Sequence, residues 1–303
     1  MKPLYITNGV TQDGFGARMQ RTLSVLCYVC YLKDVLGFPA MYVHTPFSYQ
    51  GPPPVGEDYV KGIDLRGNFD LANPYPYNDI SHEGYFKRAK LWDQAFTYRG
   101  ETVTSLGISS FEFREGYNLF ELFQENTYNA KILFILRYLH KEYDTGIIDV
   151  NNFKKYRNEI LDSFGLSSES SGRKKIAIHI RRKDAINHVH KHFNDEYYLE
   201  ILNILGQYRE KYDITIYTQR VGFDPKPYEG WEIVYDDTEE DYNTFKKMIF
   251  ADHLIVGGSS FSYAAALLNP NTVVYHFAPS VHHRAMDTWI SKNDYIQLLN
   301  IKH

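Results

Sequence analysis

The chain has 303 residues, 44% of them hydrophobic and 23% charged, and a formal net charge of −4. That length suits two domains of about 150 residues each, and the composition is that of an ordinary soluble globular protein. The mildly acidic balance excludes a global basic field for nucleic acid, and no stretch approaches the ~20 apolar residues of a membrane span. The N-terminal Met-Lys-Pro-Leu-Tyr lacks the apolar run of a signal peptide. Together these features predict a cytoplasmic protein.

Pro3 to Thr7 reads as a short strand, and Asn8 to Gly16 as a loop with three glycines. Ala17 to Leu36 is apolar nearly all round, the pattern of a buried helix, stopped by Gly37-Phe38-Pro39. Cys27 and Cys30 lie inside this helical run with no second pair, so they read as buried free thiols in a reducing compartment. Ala40 to His44 is a second strand, which completes a βαβ opening. Gly14 and Gly16 would let backbone N–H groups approach a ligand. The loop is nevertheless neither a full dinucleotide fingerprint nor a phosphate loop.

Thr45 to Asn78 is rich in Gly, Pro and Tyr and reads as a binding loop or lid. Ser81 to Tyr98 has helical character with Ser81 as N-cap, and a strand is expected within Val103 to Phe113. Tyr117 to Tyr143 and Asn151 to Leu166 are predicted helices. Leu166-Ser-Ser-Glu-Ser-Ser-Gly172 reads as a linker, which predicts domains of residues 1–166 and 173–303.

The second half alternates strand and helix, as in a parallel sheet covered on both faces. Predicted strands are Ile214–Tyr217, Ile233–Tyr235, His253–Val256 and Val273–Tyr275. Predicted helices are Asp195–Lys211, Asp241–Ala251 and Phe261–Leu268.

Two stretches in this half carry chemistry. Lys174 to Asp184 begins as a buried strand, Ile176-Ala177-Ile178, and ends in His179, Arg181, Arg182, Lys183 and Asp184. A buried parallel strand that ends in fixed cations is an anion-binding arrangement, because ligands of open α/β sheets sit beyond the carboxyl ends of the strands. Arg donates two hydrogen bonds from a planar fork, a match for phosphoryl oxygens. The second stretch, Gly257-Gly258-Ser259-Ser260-Phe261-Ser262, follows an apolar strand and opens a helix whose first N–H groups can receive an anion. His188, His190 and His192 are conceivable zinc ligands but lack a cysteine or carboxylate spaced for it and read rather as a solvated loop. Asp236 to Asp241 could grip a divalent ion but reads rather as an acidic helix start favoured by the helix dipole. His282-His283-Arg284 would edge a cleft after the last strand.

These residues together resemble the fucosyltransferase superfamily of GT-B glycosyltransferases, which holds α-1,2-, α-1,6- and protein O-fucosyltransferases. The resemblance rests on His179-Ile180-Arg181-Arg182-Lys183-Asp184, similar to the family's His-x-Arg-Arg-x-Asp. It also rests on Tyr197-Tyr198 and on Ala251-Asp252 through Ser262 to Asn269. Gly14-x-Gly16-x-x-x-Gln20 looks like the family's N-terminal helix start, although Ala17-Arg18 and Lys183 depart from the family pattern. The resemblance is good over residues 174 to 280 and patchy before that.

The resemblance implies an α/β fold of GT-B type, two Rossmann-like domains with a cleft between them. The N-terminal domain would take the acceptor and the C-terminal domain the nucleotide sugar. It implies inverting transfer of a sugar, GDP-fucose being the default donor, to a glycan hydroxyl. UDP-xylose, GDP-rhamnose or a non-catalytic nucleotide-sugar or glycan-binding relative are the alternatives. Arg181 would bind the diphosphate and stabilise its departure. Gly14, Gly16, His179, Arg182, Asp184, Asp252, Ser259, Ser260, Phe261 and Ser262 would complete the donor site. Asp13, Asp70, Asp79 and Glu83 are the candidate bases for the acceptor proton, the alternative being that no protein base takes it, as in some relatives. No metal and no other cofactor is expected, and the partners are the nucleotide sugar and the glycan acceptor.

Overall fold

A computed structural model describes residues 4–8, 15–44, 47, 90–94, 98–100, 110–114, 132–136, 149–168, 172–182, 194–236, 241–276 and 283–301. The chain divides into two compact units. One is Met1–Ile148 with Asn158–Gly165, and the other is Asp149–Arg157 with Leu166–His303.

The first unit holds a parallel sheet of β1 (Leu4–Asn8), β2 (Ala40–Tyr42), β3 (Ser110–Arg114) and β4 (Ile132–Leu136), in the order β2-β1-β4-β3. Helix α1 (Phe15–Leu36) links β1 to β2. Every residue from Thr22 to Cys30 is buried, as the all-round apolar pattern predicts. The helix ends where Gly37 takes φ 67°, a conformation that side chains with a Cβ rarely adopt, and Phe38 N–H bonds the Leu32 carbonyl. Both cysteines are buried free thiols.

One expectation fails in this unit. Within the predicted helix over Tyr117–Tyr143, residues 132–136 are strand β4, paired in register with β1 and β3, and the rest of that range lies outside the described residues. Ile132-Leu-Phe-Ile-Leu is five consecutive apolar residues. Such a run fits a strand covered on both faces as well as a buried helix, and periodicity cannot separate the two. Pairing on both sides decided it.

Helix α2 (Asn152–Ser163) opens at Asp149, whose Oδ1 accepts from the backbone N–H of Asn151 at 2.9 Å. The division between the units runs through α2.

The second unit holds β5 (Lys174–Ile180), β6 (Tyr212–Thr218), β7 (Glu232–Tyr235), β8 (His253–Val256) and β9 (Thr272–Tyr275). All are parallel, in the order β7-β6-β5-β8-β9. The first strand of this unit lies in the middle, the next two run outward on one side and the last two on the other. That is a doubly wound sheet, and its direction reverses between β5 and β8. The helices are α3 (Asp195–Leu205), α4 (Asp241–Ile249), α5 (Ser260–Leu268) and α6 (Lys292–Ile301). The sequence reading had no counterpart for α6.

The pleat of β5 sorts its side chains. Ile176, Ile178 and Ile180 join a core with Tyr198, Ile201, Leu202 and Leu205 of α3 and Tyr295 and Leu299 of α6. Burying each of these isoleucines contributes roughly 1.5–3 kcal/mol. Ala177 and His179 point the other way, and the His179 ring meets Phe261 of α5 at 5.7 Å. Asn269 ends α5, and its side-chain amide donates to the carbonyls of Met248 and Ala251 at 2.9 Å each, which caps the end of α4.

Candidate functional site

The reversal between β5 and β8 fixes where a ligand of the second unit would sit, outside the carboxyl ends of those two strands. His179 pairs in register with Val256, so the residues that follow each, Arg181 and Gly257-Gly258-Ser259, leave the sheet side by side. The two chemical stretches of the sequence, some 80 positions apart, therefore share one edge of one sheet.

On the β8 side, Ser259 is the N-cap of α5 with φ −93° and ψ 124°, and its hydroxyl makes no capping bond. Its carbonyl accepts from the Tyr263 N–H at 2.9 Å and from the Ser262 hydroxyl at 3.4 Å. Ser262 is fully buried, so its hydroxyl serves the turn. The Ser260 hydroxyl lies 3.2 Å from Nε2 of His283. The His283 ring stacks on Tyr263 at 4.4 Å, and the Tyr263 hydroxyl donates to the Arg284 carbonyl at 2.7 Å. His283 thus stands at the first turn of α5, while His282 lies outside the described residues.

On the β5 side the two arginines differ. Arg182 is 3% exposed and its guanidinium pairs with Asp195 at the start of α3. It lies 6.0 Å from the ring centroids of both Tyr198 and Phe223. Asp195 also accepts from the Tyr228 hydroxyl. Burial first, and then Asp195 beside it, raise the Tyr228 phenol above its ordinary pKa. Arg182 therefore faces the α3 side of the sheet. Arg181 is half-buried at the carboxyl end of β5.

His179 is 4% exposed, and its Nε2 lies 3.2 Å from Oδ2 of Asp236, which is 5% exposed. The sequence reading took Asp236 as part of an acidic helix start. The structure sets it just past β7, with its N–H on the Thr218 carbonyl at 2.8 Å. Thr218 in turn donates its hydroxyl to the Ile180 carbonyl at 2.8 Å. The ends of β5, β6 and β7 are tied together by these bonds. No sequence signal joins His179 to Asp236, because the contact arises from strand order.

Asp252 lies elsewhere. It precedes β8 and accepts from the backbone N–H of Lys175, at the start of β5, at 2.8 Å. The four residues of β8 separate it from Gly257, five steps along the chain and about 17 Å at roughly 3.3 Å per residue. It belongs to the amino ends of the strands and is not brought to the edge that holds His179 and Ser259. Its position next to a motif in sequence suggested otherwise, but a strand has two ends.

Gly16 is the second residue of α1, in the first unit. Asp13, Gly14, Asp70, Asp79, Glu83 and Asp184, with His188, His190 and His192, lie outside the described residues. Among the described residues no three His, Cys, Asp or Glu side chains gather around a metal position. No helix among them is long and apolar enough to cross a membrane.

No protein-family profile matches the chain, and no curated protein matches it. Solved structures do. E. coli heptosyltransferase WaaC with ADP is 13% identical with a TM-score of 0.42, over 99% of this chain and 100% of that one. POFUT1 in complex with GDP is 11% identical with a TM-score of 0.40, over 91% and 99%. POFUT1 with GDP-fucose gives 11% and 0.37, over 91% and 98%. At these values the likeness is coarse.

Proposed function

We propose that the chain is an inverting glycosyltransferase of GT-B type that moves a sugar, fucose from GDP-fucose first, to a glycan hydroxyl. One observation carries this reading. At the reversal of a doubly wound sheet, the end of β5 with Arg181 stands beside the N-terminus of α5. A guanidinium and a helix N-terminus at one strand edge suit a diphosphate. Continued past Ile180, the alternation of the pleat would put Arg181 on the side of His179 and α5, opposite Arg182.

In the proposed reaction the acceptor oxygen attacks the anomeric carbon. The bond from that carbon to the diphosphate oxygen breaks, and its electron pair leaves with the nucleoside diphosphate. Negative charge grows on that oxygen, where Arg181 and the first N–H groups of α5 stabilise it. These groups supply the positive charge that a metal provides elsewhere, so the proposal requires none. The acceptor proton passes to a base, with Asp13, Asp70, Asp79 and Glu83 as the choices.

The test is thermal stability against a panel of nucleotides and nucleotide sugars, with and without EDTA, followed by product analysis with the sugar that binds. A rise with GDP and GDP-fucose that EDTA leaves unchanged supports the reading. A rise with UDP-xylose or GDP-rhamnose instead replaces the donor. Binding without transfer to any glycan makes the chain a non-catalytic relative, and no rise with any compound overturns the proposal.

A further inference from the structure

The His179–Asp236 pair plays no stated part in that reaction. An ionised carboxylate only accepts hydrogen bonds, so the ring nitrogen that faces Asp236 carries the proton. That nitrogen is Nε2, 3.2 Å from Oδ2. The other nitrogen, Nδ1, is buried and has no hydrogen-bond partner among the described residues. An N–H at Nδ1 would be a buried donor without an acceptor, a costlier arrangement than a bare lone pair. The Nε2–H tautomer therefore fits the site. Asp236 is itself held by Thr218, and Thr218 by Ile180, so the ring orientation is set before any ligand arrives.

We propose that Asp236 is a positioning residue that holds His179 as its Nε2–H tautomer, so that the lone pair on Nδ1 accepts a hydrogen bond from an O–H or N–H of the bound nucleotide sugar. The tautomer follows from the structure alone, and the ligand half rests on the function proposed above. A buried acceptor in this place selects for a ligand with a donor, and it disfavours a phosphoryl oxygen there, since two acceptors repel.

The experiment is long-range 1H–15N correlation spectroscopy of the imidazoles in the full chain at pH 7, with His179 assigned by loss of its signals in His179→Gln. The expected spectrum shows Nε2 protonated and Nδ1 bare. A protonated Nδ1 in the wild type overturns the proposal, and this reading needs no further variant to fold. In Asp236→Asn the amide can donate to the ring, so a shift of the proton to Nδ1 is expected, as is about tenfold weaker nucleotide-sugar binding. Asp236→Glu should recover part of that affinity, and an unchanged tautomer and affinity in Asp236→Asn count against the proposal. Addition of GDP and then GDP-fucose separates the sources of the donor. A change at Nδ1 with GDP places it on the nucleotide, and a change with GDP-fucose alone places it on the sugar. Tight binding that leaves Nδ1 unmoved overturns the ligand half. A panel in which nothing binds sinks the proposed function and the ligand half with it, while the wrong tautomer alongside tight nucleotide binding sinks only the dyad.

Discussion

Nδ1 of His44 lies 3.1 Å from the hydroxyl of Tyr42, and both side chains are buried in the first unit. The same hydroxyl donates to Oδ1 of Asn8 at 3.2 Å, which also accepts from Thr22 at 3.4 Å. The His44 ring is boxed by Phe47, Tyr98 and Phe164, with centroids 5.6–5.9 Å away. Burial lowers its pKa from 6.5 to about 4, against a smaller raising effect of Asp93 and with a smaller lowering effect of Arg18. In the unfolded chain His44 binds its proton near pH 6.5, and in the fold only near pH 4. Unfolding therefore takes up a proton between those values, and stability falls as pH drops through this window. At 1.36 kcal/mol per pH unit the loss amounts to about 3 kcal/mol. Urea unfolding at pH 7, 5.5 and 4.5 should show this loss in the wild type, and a flatter dependence in His44→Phe. Parallel profiles would mean that the ring is solvated.

Arg181 and Arg182 are neighbours in sequence, and alanine variants test whether they do different work. Arg182→Ala leaves Asp195 without its cation. Because the Asp195 side chain is 43% exposed, the loss should fall at or below the low end for a broken buried pair, about 2–3 kcal/mol. Arg181→Ala should cost no more than about 1 kcal/mol, yet lower transfer by about 100-fold, the usual worth of a lost charge-stabilising donor. Chemical denaturation together with an assay of sugar transfer reads both. Full turnover in Arg181→Ala would remove that residue from the mechanism.

The sequence reached β5, β8 and the start of α5 because each is a short apolar run that breaks off into polar or small residues, and that break is local. The turn of Arg182 towards Asp195 is not legible in this way, since it depends on the face against which α3 packs. Asp236 looked like a helix-dipole acid because its neighbours in sequence are acidic. Its partner is 57 positions away and is met only once β6 and β7 have paired in register. Strand β4 is not separable from helix in the sequence, because five apolar residues in a row carry no period. The Asn8–Tyr42–His44 chain joins the ends of β1 and β2, and no spacing rule announces it.

Cys30 tests how firmly α1 is enclosed. Its thiol is buried, and burial, with the Glu159 carboxylate beside it as a smaller contribution, pushes its pKa up to about 12. A cavity of about 560 Å³ touches Cys30, Lys33, Tyr42, Tyr98 and Glu159, so access alone would not protect it. Reactivity requires the thiolate, and at pH 8 only about one thiol in ten thousand would be ionised. Iodoacetamide at pH 8 should label neither Cys27 nor Cys30 in the native protein and should label both in denaturant, as read by intact mass. Rapid native labelling of Cys30 would mean that α1 opens locally.

Gly165 and Gly206 make a matched pair for the helix ends. Gly165 follows α2 with φ 62°, and a Cβ there would sit 2.8 Å from Nη2 of Arg99, whose backbone N–H bonds the Ser163 carbonyl at 2.8 Å. Gly165→Ala meets both the left-handed backbone and that guanidinium. The guanidinium is the far end of a long side chain and can move, so the backbone sets the cost, about 1–2 kcal/mol. Gly206 follows α3 with φ −53° and ψ −32°, and a Cβ would meet nothing within 4 Å. Gly206→Ala should raise stability by about 0.5–1 kcal/mol, since alanine lowers the entropy of the unfolded chain at no steric cost. Urea midpoints of the two variants should move in opposite directions. A Gly165→Ala midpoint equal to the wild type would show that the end of α2 can relax into a right-handed turn.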